Sequence, residues 1–171
     1  MSLLYGDGFA SNTALTNSTY QFCSLFKKAL VISARNLILP ATTMKQYCYR
    51  AMFSWCTTLA YPPELPATTL ANGCYSGMFS GCTSLTTAPA LPATTLADYC
   101  YNSMFQGCTL IKLSPTQTEE YQTPYRIPSS GIGNVGNSSL SYMFGNTGGT
   151  FTGTPTINTT YYTSNTVIPA A

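Results

Sequence analysis

A chain of 171 residues can bury one core without help from disulfides or metals, so a single domain, 1–171, is expected. Only 7% of the residues are charged, against about 25% in an average soluble protein, and the net charge is +2. The seven cations form no dense basic stripe, so nucleic acid is not an expected partner; with no histidine in the chain, Ser-His and Cys-His nucleophile schemes are excluded.

Residues 1–24 are rich in Ser, Thr and Asn around a Gly6-Asp7-Gly8 turn and read as an N-terminal cap. They contain no basic segment followed by an apolar one, and no later stretch approaches the roughly 18 apolar residues of a membrane span. The expectation is therefore no standard export signal and no membrane insertion.

From residue 39 the chain repeats itself. LPATT begins at Leu39, Leu65 and Leu91, a period of 26 residues. Cys48-Tyr49, Cys74-Tyr75 and Cys100-Tyr101 keep the same phase, as do Met52-Phe53, Met78-Phe79 and Met104-Phe105, and then Cys56, Cys82 and Cys108. Three clear copies thus span 39–64, 65–90 and 91–116, with a degenerate copy at 25–38 displaced by one inserted residue. Residues 117–149 hold another, in which Ile127-Pro128 and Met143-Phe144 fit with about three inserted. Residues 114–139, which overlap its start, carry Pro115, Pro124 and Pro128 and three glycines, and read as an interrupting loop. Residues 150–171 alternate polar and apolar side chains and read as a C-terminal β cap.

A period of 26 lies in the range of leucine-rich repeats. The middle of Leu85 to Leu91 reads as a short strand limited by Pro89 and Pro92. From Asp98 to Gly107 the apolar spacing of Cys100, Met104, Phe105 and Cys108 predicts one face of a short helix. The expected fold is an α/β repeat solenoid, leucine-rich-repeat-like, with a short parallel sheet on one side, helical turns on the other and irregular β caps at both ends. Cys48, Cys74, Cys100, Phe53, Phe79, Phe105, Cys56, Cys82 and Cys108 are its expected core ladder.

The cysteines fit neither disulfide nor zinc patterns. Two in one unit lie eight residues apart, about 12 Å along a helix, and there is no histidine. They read as buried free thiols, and no metal or cofactor is expected. The acids Asp7, Glu64, Asp98, Glu119 and Glu120 form no opposed pair, so no catalytic residues are assigned and no enzyme is expected. Tyr49, Tyr75 and Tyr101 follow inward cysteines and are candidates for an outward aromatic row that binds carbohydrate or protein, or that only covers the convex side.

The order Phe79, Cys82, Leu85, Leu91-Pro92, and equally Phe53, Cys56, Leu59, Leu65-Pro66, resembles the BspA-like leucine-rich repeats of bacterial surface proteins. The 26-residue variant is similar to repeats in surface and virion proteins of gut bacteria and their phages, with a Gly149-Thr150-Phe151 tail and a Val167-Ile168-Pro169 ending. That resemblance implies attachment or assembly. The expected role is a phage virion component, a decoration, fibre-like or receptor-facing protein. Alternatives are a module of a bacterial cell-surface adhesin and an intracellular protein-binding scaffold. Expected partners are the chain itself, other virion or surface proteins, or a host-surface glycan or protein.

Overall fold

A computed structural model of the chain describes residues 13–15 and 19–164. Most of the N-terminal cap, the Gly6-Asp7-Gly8 turn and the Val167-Ile168-Pro169 ending lie outside the described residues.

Each repeat folds its Cys-Tyr to Cys segment into a tape of β-turns. In the second coil, 46–56, alternate N–H groups close turns within the coil: Cys48 to the Lys45 carbonyl, Arg50 to Tyr47, Met52 to Tyr49, Ser54 to Ala51 and Cys56 to Phe53, at 3.0–3.3 Å. The intervening N–H groups of Tyr47, Tyr49, Ala51, Phe53 and Trp55 donate instead to the carbonyls of Asn72, Cys74, Ser76, Met78 and Ser80 in the next coil, at 2.7–3.0 Å. From Tyr47 to Cys56 every N–H is satisfied, half of them locally and half by the neighbour. Tyr47, Ala51 and Trp55 have φ of 54°, 52° and 62°. Positive φ at the third position of every second turn is the mark of a type II turn, and it recurs every four residues.

The same tape runs through 19–29, 72–82, 98–108 and 137–147. Left-handed residues follow it in register: Tyr20, Ser24 and Lys28; Gly73, Gly77 and Gly81; Tyr99, Ser103 and Gly107; Ser138, Tyr142 and Asn146. Because the pattern repeats every four residues, two adjacent side chains face inward and the next two outward. Inward pairs on successive coils stack into columns. Phe26, Phe53, Phe79, Phe105 and Phe144 lie with ring centroids 5.3–5.7 Å apart and planes within 17°. Phe22, Tyr49, Tyr75 and Tyr101 form a second column at 5.4–5.9 Å.

These observations correct the expected fold class. No helix occurs among the described residues, so the α/β leucine-rich-repeat-like architecture with helical turns is not what this chain forms. A left-handed residue every four positions cannot be accommodated in a right-handed helix. The strand expected within Leu85 to Leu91 is also absent, since Pro89 and Pro92 withhold donors. In place of a parallel sheet along one side there are isolated parallel bridges, Ala14–Thr43, Thr43–Thr69, Ser33–Tyr61 and Thr95–Asn134.

The sheet that does form lies at the C-terminal end of the stack. It contains β1 (Lys112–Ser114), β2 (Tyr121–Arg126), β3 (Gly148–Gly149) and β4 (Thr160–Ser164), in the order β2-β4-β1-β3. The β1–β3 pair is parallel; β1–β4 and β2–β4 are antiparallel. The segment 114–139, expected as a plain loop, therefore contains β2. Its following turn is held by Arg126, which donates to the carbonyls of Pro128 and Gly131, and by Asn158, whose Nδ2 donates to the Gly133 carbonyl at 3.0 Å.

The fifth coil is closed by a Thr-Gly-Thr segment. Phe144 and Gly153 exchange N–H···O bonds of 2.8 and 2.9 Å, while the Tyr142 and Asn146 N–H groups donate to Thr154 Oγ1 and Thr152 Oγ1. Hydroxyl oxygens here replace the carbonyls that a sixth coil would present.

Candidate binding face

The core-ladder residues occupy the interior. Cys48, Cys74, Cys100, Cys56, Cys82, Cys108, Phe53, Phe79 and Phe105 are all at most 1% exposed. All seven cysteines are free thiols, with Cys23 half-buried. The second cysteine of each copy has a defined partner in the coil before it: the thiols of Cys56, Cys82 and Cys108 donate to the carbonyls of Phe26, Phe53 and Phe79 at 2.9–3.1 Å. Loss of water around the thiol pushes Cys48 up to about 11 and Cys100 and Cys108 up to about 12, and it also raises Cys74 and Cys82. Such thiols stay protonated at neutral pH and are poor nucleophiles.

Tyr49, Tyr75 and Tyr101 are not an outward row. All three are at most 1% exposed, their rings belong to the second interior column, and no ligand can reach them without opening the stack. The hydroxyls of Tyr75 and Tyr101 are buried without a hydrogen-bond partner among the described residues, a cost of about 1–3 kcal/mol each that ring burial and stacking must outweigh.

The surface aromatics sit one step away, on the left-handed positions of the tape. Tyr20, Trp55, Tyr99 and Tyr142 are 47–65% exposed and all have positive φ. Tyr47, also left-handed, stacks on Tyr20 at 4.8 Å and lies across Gly73, where a Cβ would collide with its ring. Trp55 lies across Gly81 in the same manner, with its Cδ2 2.8 Å from where a Cβ would be. The glycine in the lower coil makes the seat for the aromatic in the upper one. The signal for this face was available in sequence, because Tyr47 and Trp55 share phase with Gly73 and Gly81.

The first two coils also expose Lys27, Lys28 and Arg50, and the sequence has no Asp or Glu from residue 8 to residue 63. A different concavity of about 460 Å³ opens on the Leu-Pro side, lined among others by Arg35, Tyr61, Pro63, Glu64, Pro89 and Pro92. There the Arg35 guanidinium lies over the Tyr61 ring, 4.3 Å from its centroid. Among the described residues no group of three His, Cys, Asp or Glu side chains could hold a metal ion, and no helix is long and apolar enough to cross a membrane. Comparison with protein-family models, with curated proteins and with solved structures gives no match.

Proposed function

We propose that the chain is a non-enzymatic structural or adhesive repeat protein and, within that class, a virion component of a phage, working through contacts with copies of itself or with other virion proteins. The observation that carries this reading is the division of chemistry between inside and outside. Six of the seven thiols, with the rings and hydroxyls of Tyr49, Tyr75 and Tyr101, are sealed in the stack. The outward positions carry hydroxyls, amides, few charges and half-exposed aromatic rings. A weakly charged surface lacks the self-repulsion that keeps molecules apart, which suits a part that sits within an assembly. Free, protonated thiols suit assembly in a reducing cytoplasm. The repeat resemblance to surface and virion proteins points the same way, by analogy alone.

The experiment is quantitative mass spectrometry on particles purified from the bacterium that carries the gene, beside its envelope and soluble fractions. Peptides of this chain are expected in the particles in fixed ratio to the major capsid protein. Recovery from the cell envelope with none in particles would overturn the virion role in favour of a surface adhesin. Recovery only from soluble cytoplasm would favour an intracellular scaffold.

A further inference from the structure

We infer that the outward face of the first two coils is a subsite for an acidic polysaccharide, with Tyr20 and Trp55 stacking on sugar rings, Tyr47 supporting the Tyr20 ring, and Lys28 and Arg50 meeting carboxylates. The inference rests on the adhesive reading above and names the ligand class for it.

The repeats supply their own control. At the phase of Tyr47, Ala51 and Trp55 the next copy has Gly73, Gly77 and Gly81, all with positive φ. The tape therefore forms with glycine at each left-handed position. A side chain there costs about 1–2 kcal/mol of backbone strain relative to the right-handed region. Yet five left-handed positions hold aromatics: Tyr20, Trp55, Tyr99 and Tyr142, each about half exposed or more, and the half-buried Tyr47. Folding does not require these rings, and the backbone resists them. Strain kept at exposed positions that a simpler residue would relieve points to recognition.

Charge selects the ligand. Tyr20, Tyr47 and Trp55 lie on the first two coils, which also expose Lys27, Lys28 and Arg50 within a stretch of 56 residues without an acid, and the Lys28 N–H donates to the carbonyl of Ser54, next to Trp55. An aromatic ring offers a flat apolar face for the C–H side of a pyranose. Ser76, Ser80 and Asn102 on the following coils are neutral hydroxyl and amide groups of the kind that bond sugar hydroxyls. A few separated cations beside exposed rings suit a polymer with spaced carboxylates. They are too few for the continuous phosphate contacts on which nucleic-acid affinity depends.

Trp55 is the only tryptophan in the chain, so its fluorescence reports on this face alone. The full chain is titrated with hyaluronan and polygalacturonate oligosaccharides, with dextran, and with a 20-nucleotide oligo-dT. A saturable shift with at least one acidic oligosaccharide is expected, with affinity at least tenfold weaker for dextran and for oligo-dT. Tyr20→Gly should weaken it at least tenfold with the melting temperature little changed, because the backbone strain that glycine relieves there offsets the lost stack on Tyr47. Lys28→Glu combined with Arg50→Glu should abolish it. No response to either acidic probe, an equal response to dextran, or an equal or stronger response to oligo-dT would each overturn the subsite. A chain that fails this titration yet is recovered in particles keeps its structural role and loses only this site.

Discussion

At the residue scale the deciding quantity is the sign of φ at every fourth position. Ala51 has φ of 52° and little side chain to lose, whereas Gly77 in the next copy has φ of 60° with only Ser80 Cβ, 4.0 Å away, near the place of a Cβ. Ala51→Gly should therefore stabilise the fold by about 0.5–1 kcal/mol, the strain relieved less the extra freedom glycine gives the unfolded chain. Gly77→Ala should cost about as much. Gly81→Ala should cost more than Gly77→Ala, since Trp55 has to leave its seat. Urea unfolding of the three variants checks the order, and a loss of stability in Ala51→Gly would contradict it. The buried thiols make a second residue-scale prediction, for pH. A cysteine held protonated in the fold stabilises fully below its unfolded value, here 9.0, and that contribution is lost as pH rises through the folded value of about 11 for Cys48 and about 12 for Cys100 and Cys108. Stability should be flat from pH 6.5 to 8 and fall above pH 9 by about 1.4 kcal/mol per pH unit for each such thiol. Cys100→Ala should have a measurably shallower alkaline limb; identical limbs would show that these thiols are not the titrating groups.

At the scale of the element, the tape needs a closed end. The fifth coil has donors that would bond a sixth, and Thr152 and Thr154 meet two of them through their side-chain oxygens. Valine keeps the shape of threonine and removes the acceptor, so Thr152→Val and Thr154→Val should each cost about 1 kcal/mol, with hydrogen exchange at Asn146 and Tyr142 accelerated accordingly. Unchanged exchange at those two amides would mean the hydroxyls do not close the stack. The same element explains what was legible in the sequence and what was not. The 26-residue period and the shared column of Phe53, Phe79 and Phe105 follow from repetition alone, since equivalent residues in stacked copies must meet. The helix did not follow. Cys100, Met104, Phe105 and Cys108 fit one face of a 3.6-residue helix and also fit a four-residue tape with two side chains in and two out. Gly73, Gly77 and Gly81, four apart, separate the two possibilities: three glycines in nine residues are costly in a helix and fit a chain that must turn left-handed at each. Misreading the period also misplaced the tyrosines. On a helix Tyr49, Tyr75 and Tyr101 could turn away beside inward cysteines, whereas on the tape the two neighbours face inward together, and the surface rings are Tyr47 and Trp55.

For the whole molecule, each coil is held by the hydrogen bonds and ring contacts it shares with the coils on either side, so stability should follow the number of intact interfaces rather than the number of residues. Removing residues 66–91 joins Leu65 to Pro92 and restores a Leu-Pro step. The N–H groups of the second coil then face the fourth coil's carbonyls, equivalent to those they lost, and Phe53 meets Phe105 in place of Phe79. This variant should still unfold cooperatively, with a lower stability and a urea m-value reduced in proportion to the smaller surface exposed. Removing only Met78 and Phe79 has a different effect. The bonding alternates every two residues, so the backbone could stay paired, but the rest of that coil would turn Ser80 and Gly81 inward and Cys82 outward. Two columns lose a member, and the thiol bond from Cys82 to Phe53 is lost with them. Loss of the buried phenyl alone costs about 3–5 kcal/mol. The shorter deletion should therefore be the more damaging, with two residues removed costing more than twenty-six. Urea unfolding followed by Trp55 fluorescence decides it: a two-residue variant more stable than the twenty-six-residue one would mean that the coils are not interchangeable units.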